Sequence, residues 1–205
     1  MDRTMVVEGE GVYEARPDSA RFECTLQGRY PEYAEAVEHS TGCVAPLREA
    51  VEAAGFPADS LLTVGVTVRP VYDSRREGDD YISEFAGYEY VHRLRIDVPC
   101  DNVTVGKLMT SLQPTGVQFS MSYRLKNNTE ALSKARSLAV MDAQLKAEKL
   151  AEDAGVRLGD LVTITYSSGS AGPEYRTLSA RANMPDMVPE SIAFTDSVEL
   201  TWEFY

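Results

Sequence analysis

Histidine is almost absent from this 205-residue chain, and that scarcity removes a class of chemistry. Only His39 and His92 occur, at unrelated positions, which excludes a histidine-rich metal site. Cysteine is nearly as rare. Cys24, Cys43 and Cys100 are odd in number and lack C-x-x-C spacing, which fits reduced thiols rather than a disulfide framework or zinc site. Positive charge is also short: 20 Lys and Arg face 32 Asp and Glu, for a net charge of -12. A phosphate-backbone partner would be repelled unless a local basic face overrode that field. No such face is visible, because Lys134, Arg136, Lys146 and Lys149 are interleaved with Glu130, Asp142, Glu148 and Glu152. Nucleic acid is therefore not an expected partner. Long apolar runs are missing as well; none approaches the roughly 20 residues that span a bilayer. The first strand begins within five residues of Met1, leaving no room for a signal peptide. The expected location is cytoplasmic, or periplasmic or secreted if a leader was removed.

What is present is a globular composition, 43% hydrophobic and 25% charged, with strong periodicity. Six alanines, Ala131, Ala135, Ala139, Ala143, Ala147 and Ala151, recur every fourth residue. At about 100° per residue each step drifts about 40°, so the row follows a helix ridge and lets the backbone approach another layer closely. Asn127 or Asn128 can cap the start, Glu130 fits the capping-box position, and Gly155 can form the left-handed end. Over its length the row drifts about 200°, so its two ends are not expected to face one partner squarely.

Period-two alternation marks the strands. Ile192, Phe194, Asp196, Val198, Leu200, Trp202 and Phe204 share one face of a long final strand. The same test gives Ala20 to Leu26, Leu62 to Val68, Tyr88 to Val98 and Val117 to Leu125, with shorter strands at Met5 to Val12 and Leu161 to Tyr166. Val37, Val44, Leu47, Val51 and Ala54 form a helical stripe from Pro31 to Ala54, kinked by Pro46. Helices also fit Val103 to Leu112 and Asn128 to Ala154. From Ser19 the order is strand, helix, strand, strand, helix, strand, the ferredoxin-like split βαβ pattern. The expected fold is α+β, with a ferredoxin-like unit at 18–125 inserted into an outer unit made of 1–17 and 126–205. A single continuous α+β sheet is the alternative. Two long loops are expected, Asp73 to Phe85 and Ser167 to Pro189.

The run Asp142-Ala143, Lys146-Ala147, Leu150-Ala151, Gly155 and Leu158-Gly159 resembles the signature of the SIMPL-domain (periplasmic immunogenic protein-like) family. Val7-Glu8-Gly9-Glu10-Gly11-Val12, Arg16-Pro17-Asp18-Ser19-Ala20, Val68-Arg69-Pro70-Val71-Tyr72, Gly87-Tyr88 and Val188-Pro189-Glu190-Ser191-Ile192 match further pieces in order. The resemblance supplies a fold and no reaction. It implies bacterial proteins, some of which form large ring-like oligomers; an animal relative binds a signalling kinase, and the family has been linked to envelope and oxidative stress.

Several residues invite chemistry and have plainer readings. Asp73 to Glu84 copies part of a calcium loop, but Arg75 occupies a ligand position and the flanks read as strands, so a solvated hairpin tip is preferred. His92 on an apolar face reads as a partly buried histidine bonded to a tyrosine or carbonyl, and His39 as facing water. Cys24, between Phe22 and Leu26, reads as a packed thiol. Gly9 and Gly11 permit a bulge or a close strand approach rather than a phosphate loop. Asp196 interrupts an apolar face without an identified partner. No catalytic, cofactor-binding or metal residue is assigned. The expectation is a non-enzymatic, self-assembling scaffold or interaction protein, a homo-oligomer touching through 167–189 or an exposed strand edge. The alternative is a small-molecule module using Tyr72, Tyr81, Phe85, Tyr88 and Tyr90 near the central hairpin.

Overall fold

The computed structural model describes residues 3–77, 80–167, 177–179 and 188–205. Its elements run β1 (Thr4–Ala15), β2 (Ser19–Tyr30), α1 (Tyr33–Gly42), α2 (Ala45–Ala53), β3 (Leu62–Glu77), β4 (Asp80–Pro99), α3 (Asn102–Leu112), β5 (Phe119–Arg124), α4 (Thr129–Ala154), β6 (Leu158–Thr165), β7 (Thr177–Ser179) and β8 (Ile192–Phe204). This is an α+β protein, and it divides into two compact units. One holds β1, α4, β6 and β8; the other holds β2 to β5, α1 to α3, and β7.

The first unit is a three-stranded antiparallel sheet, order β1-β8-β6, covered by α4. Alternation places Ile192, Phe194, Val198, Leu200 and Trp202 on the covered face, and all five are buried. All six alanines are buried too, none more than 3% exposed. The straight-helix drift is thus corrected by the sheet: Ala131 and Ala135 pack with Ile192 and Phe194, while Ala139, Ala143 and Ala147 pack with Val7, Val198, Leu200 and Trp202. A twisting sheet turns beneath the helix as the ridge turns above it. Gly9 and Gly11 make the approach possible. A Cβ on Gly9 would collide with the Ala139 carbonyl and lie 2.6 Å from the Ala143 nitrogen, and one on Gly11 would strike the Ala135 carbonyl. The glycines therefore serve a close approach, to a helix rather than to a strand.

The helix ends differ in part from expectation. Gly155 takes the left-handed conformation at φ 67°. At the start, Asn128 is the cap residue but its side chain makes no capping bond; Asn127 Oδ1 accepts from Thr129 N at 3.0 Å instead. Glu130 does not reach back and pairs with Lys134 at 2.7 Å.

The second unit is a five-stranded sheet, order β3-β4-β2-β5-β7, with α1 to α3 packed on one face. Phe22, Cys24, Leu94, Ile96, Val98 and Met121 meet Leu47, Val51, Val105 and Leu108 there. Pro46 breaks the expected kinked helix outright. It sits in the first turn of α2, where its missing N–H costs nothing, and α1 ends at Gly42. The phase of α1 also differs: Ala36 and Ser40 are buried while Val37 is exposed. Leu62, Val64 and Val66 are exposed as well: the irregularity between Thr63 and Gly65 breaks the alternation and puts Leu62 across from Arg95 on the outer face, with Val64 beside it, while Val66, across from His92, lies on an edge strand. The expected loop from Asp73 to Phe85 is instead strand, paired from Tyr72–Phe85 out to Glu77–Asp80. Most of the segment 167–189 lies outside the described residues, but β7 within it pairs with β5.

Packing this tight sets two expectations for thermal unfolding. Gly9→Ala and Ala139→Leu should each destabilise at the upper end of the overpacking range, about 3 kcal/mol, whereas Glu148→Gln should stay within about 0.5 kcal/mol. Trp202→Ala should cost about 3–5 kcal/mol. Unchanged melting temperatures for the first pair would contradict the contact between α4 and β1.

Candidate functional site

The structure gives each residue singled out above a local occupation. His92 is buried, and its Nδ1 lies 2.7 Å from the Ser40 carbonyl, which can only accept. Nδ1 therefore donates, and Nε2 is bonded to the Thr63 hydroxyl at 3.0 Å. Both nitrogens are used, tying α1 to β3 through β4. The expected carbonyl partner is present; the tyrosine is not. His39 is exposed and stacks on Tyr30 with centroids 4.2 Å apart. Cys24 is buried, and burial first, then the neighbouring Cys43 thiol, pushes its pKa up to about 11. That is the reverse of activation. Burial and a contact from Cys43 likewise push the Tyr90 hydroxyl upward.

The aromatic set does not converge. Tyr72 meets Phe85 edge-on, Phe85 meets Tyr88, and Tyr88 meets Tyr33, with centroids 5.3–5.8 Å apart, a file of rings along the hairpin rather than a ring of walls. The side chain of Tyr81 lies outside those described. Among the described residues no group of carboxylates, cysteines and histidines is arranged to hold a metal ion, and Asp73 of the calcium-like stretch pairs with Arg29 at 3.2 Å.

Asp196 does have partners. Its side chain, 1% exposed, accepts from Tyr166 Oη at 3.0 Å and Arg136 Nε at 3.3 Å, and from the Ser197 N–H at 2.9 Å. Arg136 also donates to Tyr166 Oη at 2.6 Å and stacks over its ring. The cluster joins α4, β8 and the end of β6. The partners stand 60 and 30 residues away in sequence, so no local pattern could disclose them.

The sheet edges carry the clearest functional asymmetry. At β1 the outward backbone is occupied by α4: Asp142 Oδ2 accepts from Glu10 N at 2.9 Å, and Lys146 Nζ donates to the Glu8 carbonyl at 3.2 Å. This blocks strand addition there. The β3 edge carries Pro70, two irregularities at Val64 and Val71, and the charges of Arg69 and Asp73. The β6 edge has one charged residue, Asp160, and α4 scarcely reaches it. Leu161 and Ile164 lie on the face shared with Trp202 and Leu200, yet are 43% and 61% exposed; Val162 is 53% exposed. Its pairing with β8 is irregular up to Thr163 and regular from there to Thr165.

On the outer face of the five-stranded sheet lies an open cleft of about 430 Å³, bordered by Glu23, Thr25, Val64, Arg93, Gln118 and Ser120.

This architecture has relatives. The SIMPL family profile, described as a protein of unknown function (DUF541), matches residues 5–202, and the chain belongs to that family. The 26 kDa periplasmic immunogenic protein of Brucella melitensis biotype 1 is 28% identical over 190 residues, covering 87% of this chain and 74% of that protein. The protein of the same name from Brucella abortus strain S19 matches to the same extent. No described helix is long and apolar enough to cross a membrane.

The blocked edge has a pH signature. Bonds from Lys146 first and the Glu10 N–H second hold the Asp142 carboxyl below its ordinary value of 3.8. A depressed carboxylate pKa contributes stability that is complete above the unfolded value and fades as pH falls through the folded one. The Glu10 amide proton should therefore titrate by NMR with a midpoint below 3.8, and Asp142→Asn should abolish the step. A midpoint above that value would contradict the bond.

Proposed function

We propose that the protein is a non-enzymatic, self-assembling member of the SIMPL family that works in the bacterial periplasm as a scaffold or interaction protein, in a stress-related role. The observation that carries this reading is the contrast between the edges of the first unit. A strand with exposed backbone and exposed leucine, valine and isoleucine side chains is a template for pairing, and natural proteins that stay monomeric cover such an edge. Among the described residues β1 is covered by α4, whereas α4 scarcely touches β6. A second copy of the chain, apposed antiparallel along β6, would extend the sheet and bring the uncovered apolar faces together.

The non-enzymatic part is supported by the use already made of the reactive side chains. His92 is bonded at both nitrogens, the Cys24 thiol is pushed away from its reactive form, and Asp196 is held by Arg136 and Tyr166. The periplasmic location is carried over from the name of the Brucella relatives.

Analytical ultracentrifugation at micromolar concentration tests the assembly. A species larger than the 22.6 kDa protomer is expected, and Ile164→Lys should return it toward that mass, while Val66→Lys on β3 should not. A single 22.6 kDa species that is unchanged on concentration would sink the proposal. An assembly broken by Val66→Lys alone would move the contact to β3.

A further inference from the structure

Three arginines on the outer face of the five-stranded sheet are matched to carboxylates. Arg21 forks onto Asp97 at 2.7 and 3.1 Å, Arg69 onto Glu89 at 2.7 and 3.1 Å, and Arg29 onto Asp73 at 3.2 and 3.3 Å. Arg93 and Arg95 stand two residues apart on β4 and therefore on the same face. Neither forms an ion pair among the described residues. Glu23 is directly across from Arg95 in the strand register, yet Arg95 Nε is buried with no acceptor. A guanidinium presents five donors in a fixed fork and stays charged, so one without a carboxylate partner has donors to offer an acceptor.

The surroundings of Arg93 are open for a reason legible in the chain. In the register it lies between Thr25 on β2 and Gly65 on β3. A Cβ on Gly65 would meet nothing within 4 Å, and the irregularity at Val64 displaces the neighbouring strand. The cleft of about 430 Å³ described above opens at this place, with the Thr25 and Ser120 hydroxyls along it and Val64 at its border. That volume falls within the span of small-ligand sites, about 300–1,000 Å³.

We propose that this cleft binds a small organic anion, its carboxylate or phosphate head received by Arg93, with Arg95 next on the same face adding its positive charge, and its body lying toward Val64. Glu23 on the same cleft disfavours a densely charged ligand and offers an acceptor to a donor group on it. The positive pair stands out because the chain as a whole carries a charge of -12, so it is not part of a general basic field. This site is independent of the β6 edge, and its failure would leave the assembly reading untouched.

The test is an NMR titration of the full chain with ¹⁵N-labelled arginine side chains, using inorganic phosphate and succinate as probes at constant ionic strength held by chloride. Saturable shifts of the Arg93 and Arg95 Nε–Hε signals are expected with at least one probe, and whichever saturates assigns the head group. Arg93→Gln should weaken that binding about tenfold, the scale of a lost charge-assisted fork, while Arg48→Gln on α2 should leave it unchanged. Arg93 is exposed, so its substitution tests the site even if Arg95→Gln fails to fold. Shifts that grow without saturating, that chloride reproduces, or that survive Arg93→Gln undiminished would overturn the proposal.

Discussion

The contact between the alanine ridge of α4 and the glycines of β1 governs the first unit. Ala131, Ala135, Ala139, Ala143 and Ala147 pack on the sheet, and Gly9 and Gly11 leave out side chains that would strike the helix backbone. Two features follow from that proximity. The large residues of β8 can close around a thin helix face, with Phe194 and Trp202 filling the space that alanine leaves. The flank of the helix also comes within hydrogen-bonding reach of the strand edge, where Asp142 and Lys146 satisfy backbone groups of Glu10 and Glu8. The same placement over β1 and β8 leaves β6 outside the shelter of the helix.

The unit therefore has a direction. The blocked side is rich in carboxylates and anchored by a helix, whereas the open side exposes Leu161, Val162 and Ile164 and ends at the Arg136, Tyr166 and Asp196 cluster. That cluster fixes Tyr166, the residue that follows β6, because it is bonded by both Asp196 and Arg136. Two different devices, a buried carboxylate and a covered β1, hold a sheet in which β6, among the described residues, is the edge that α4 does not cover.

Periodicity made the alanine ridge, the inward face of β8 and the α+β class readable from the chain. These signals repeat locally and need no knowledge of neighbours. The misreadings share an opposite cause. Leu62, Val64 and Val66 alternate like one core face, but alternation cannot foresee the irregularity between Thr63 and Gly65, which turns Leu62 to the outer face across from Arg95. Charge hid the true length of the hairpin, since Asp73, Arg75 and Glu77 look like loop although the backbone stays paired beside them. At Pro46 the choice between a kink and a new helix turned on whether the ring fell in an interior or a first turn. The candidate sites were the least legible: Asp196 was visible without its partners, and the cleft at Arg93 arises from a register with Gly65 that only strand pairing reveals.

The account depends on β6 being an edge that a second copy completes, and amide hydrogen exchange within that strand measures it most directly. In the assembled protein the outward N–H groups of residues 162–165 should be protected, and Ile164→Lys should release them while the Glu10 amide, bonded to Asp142, keeps its protection. Rapid exchange along β6 in a species heavier than one chain would contradict the account, because the edge would then be free in the very assembly it is meant to form.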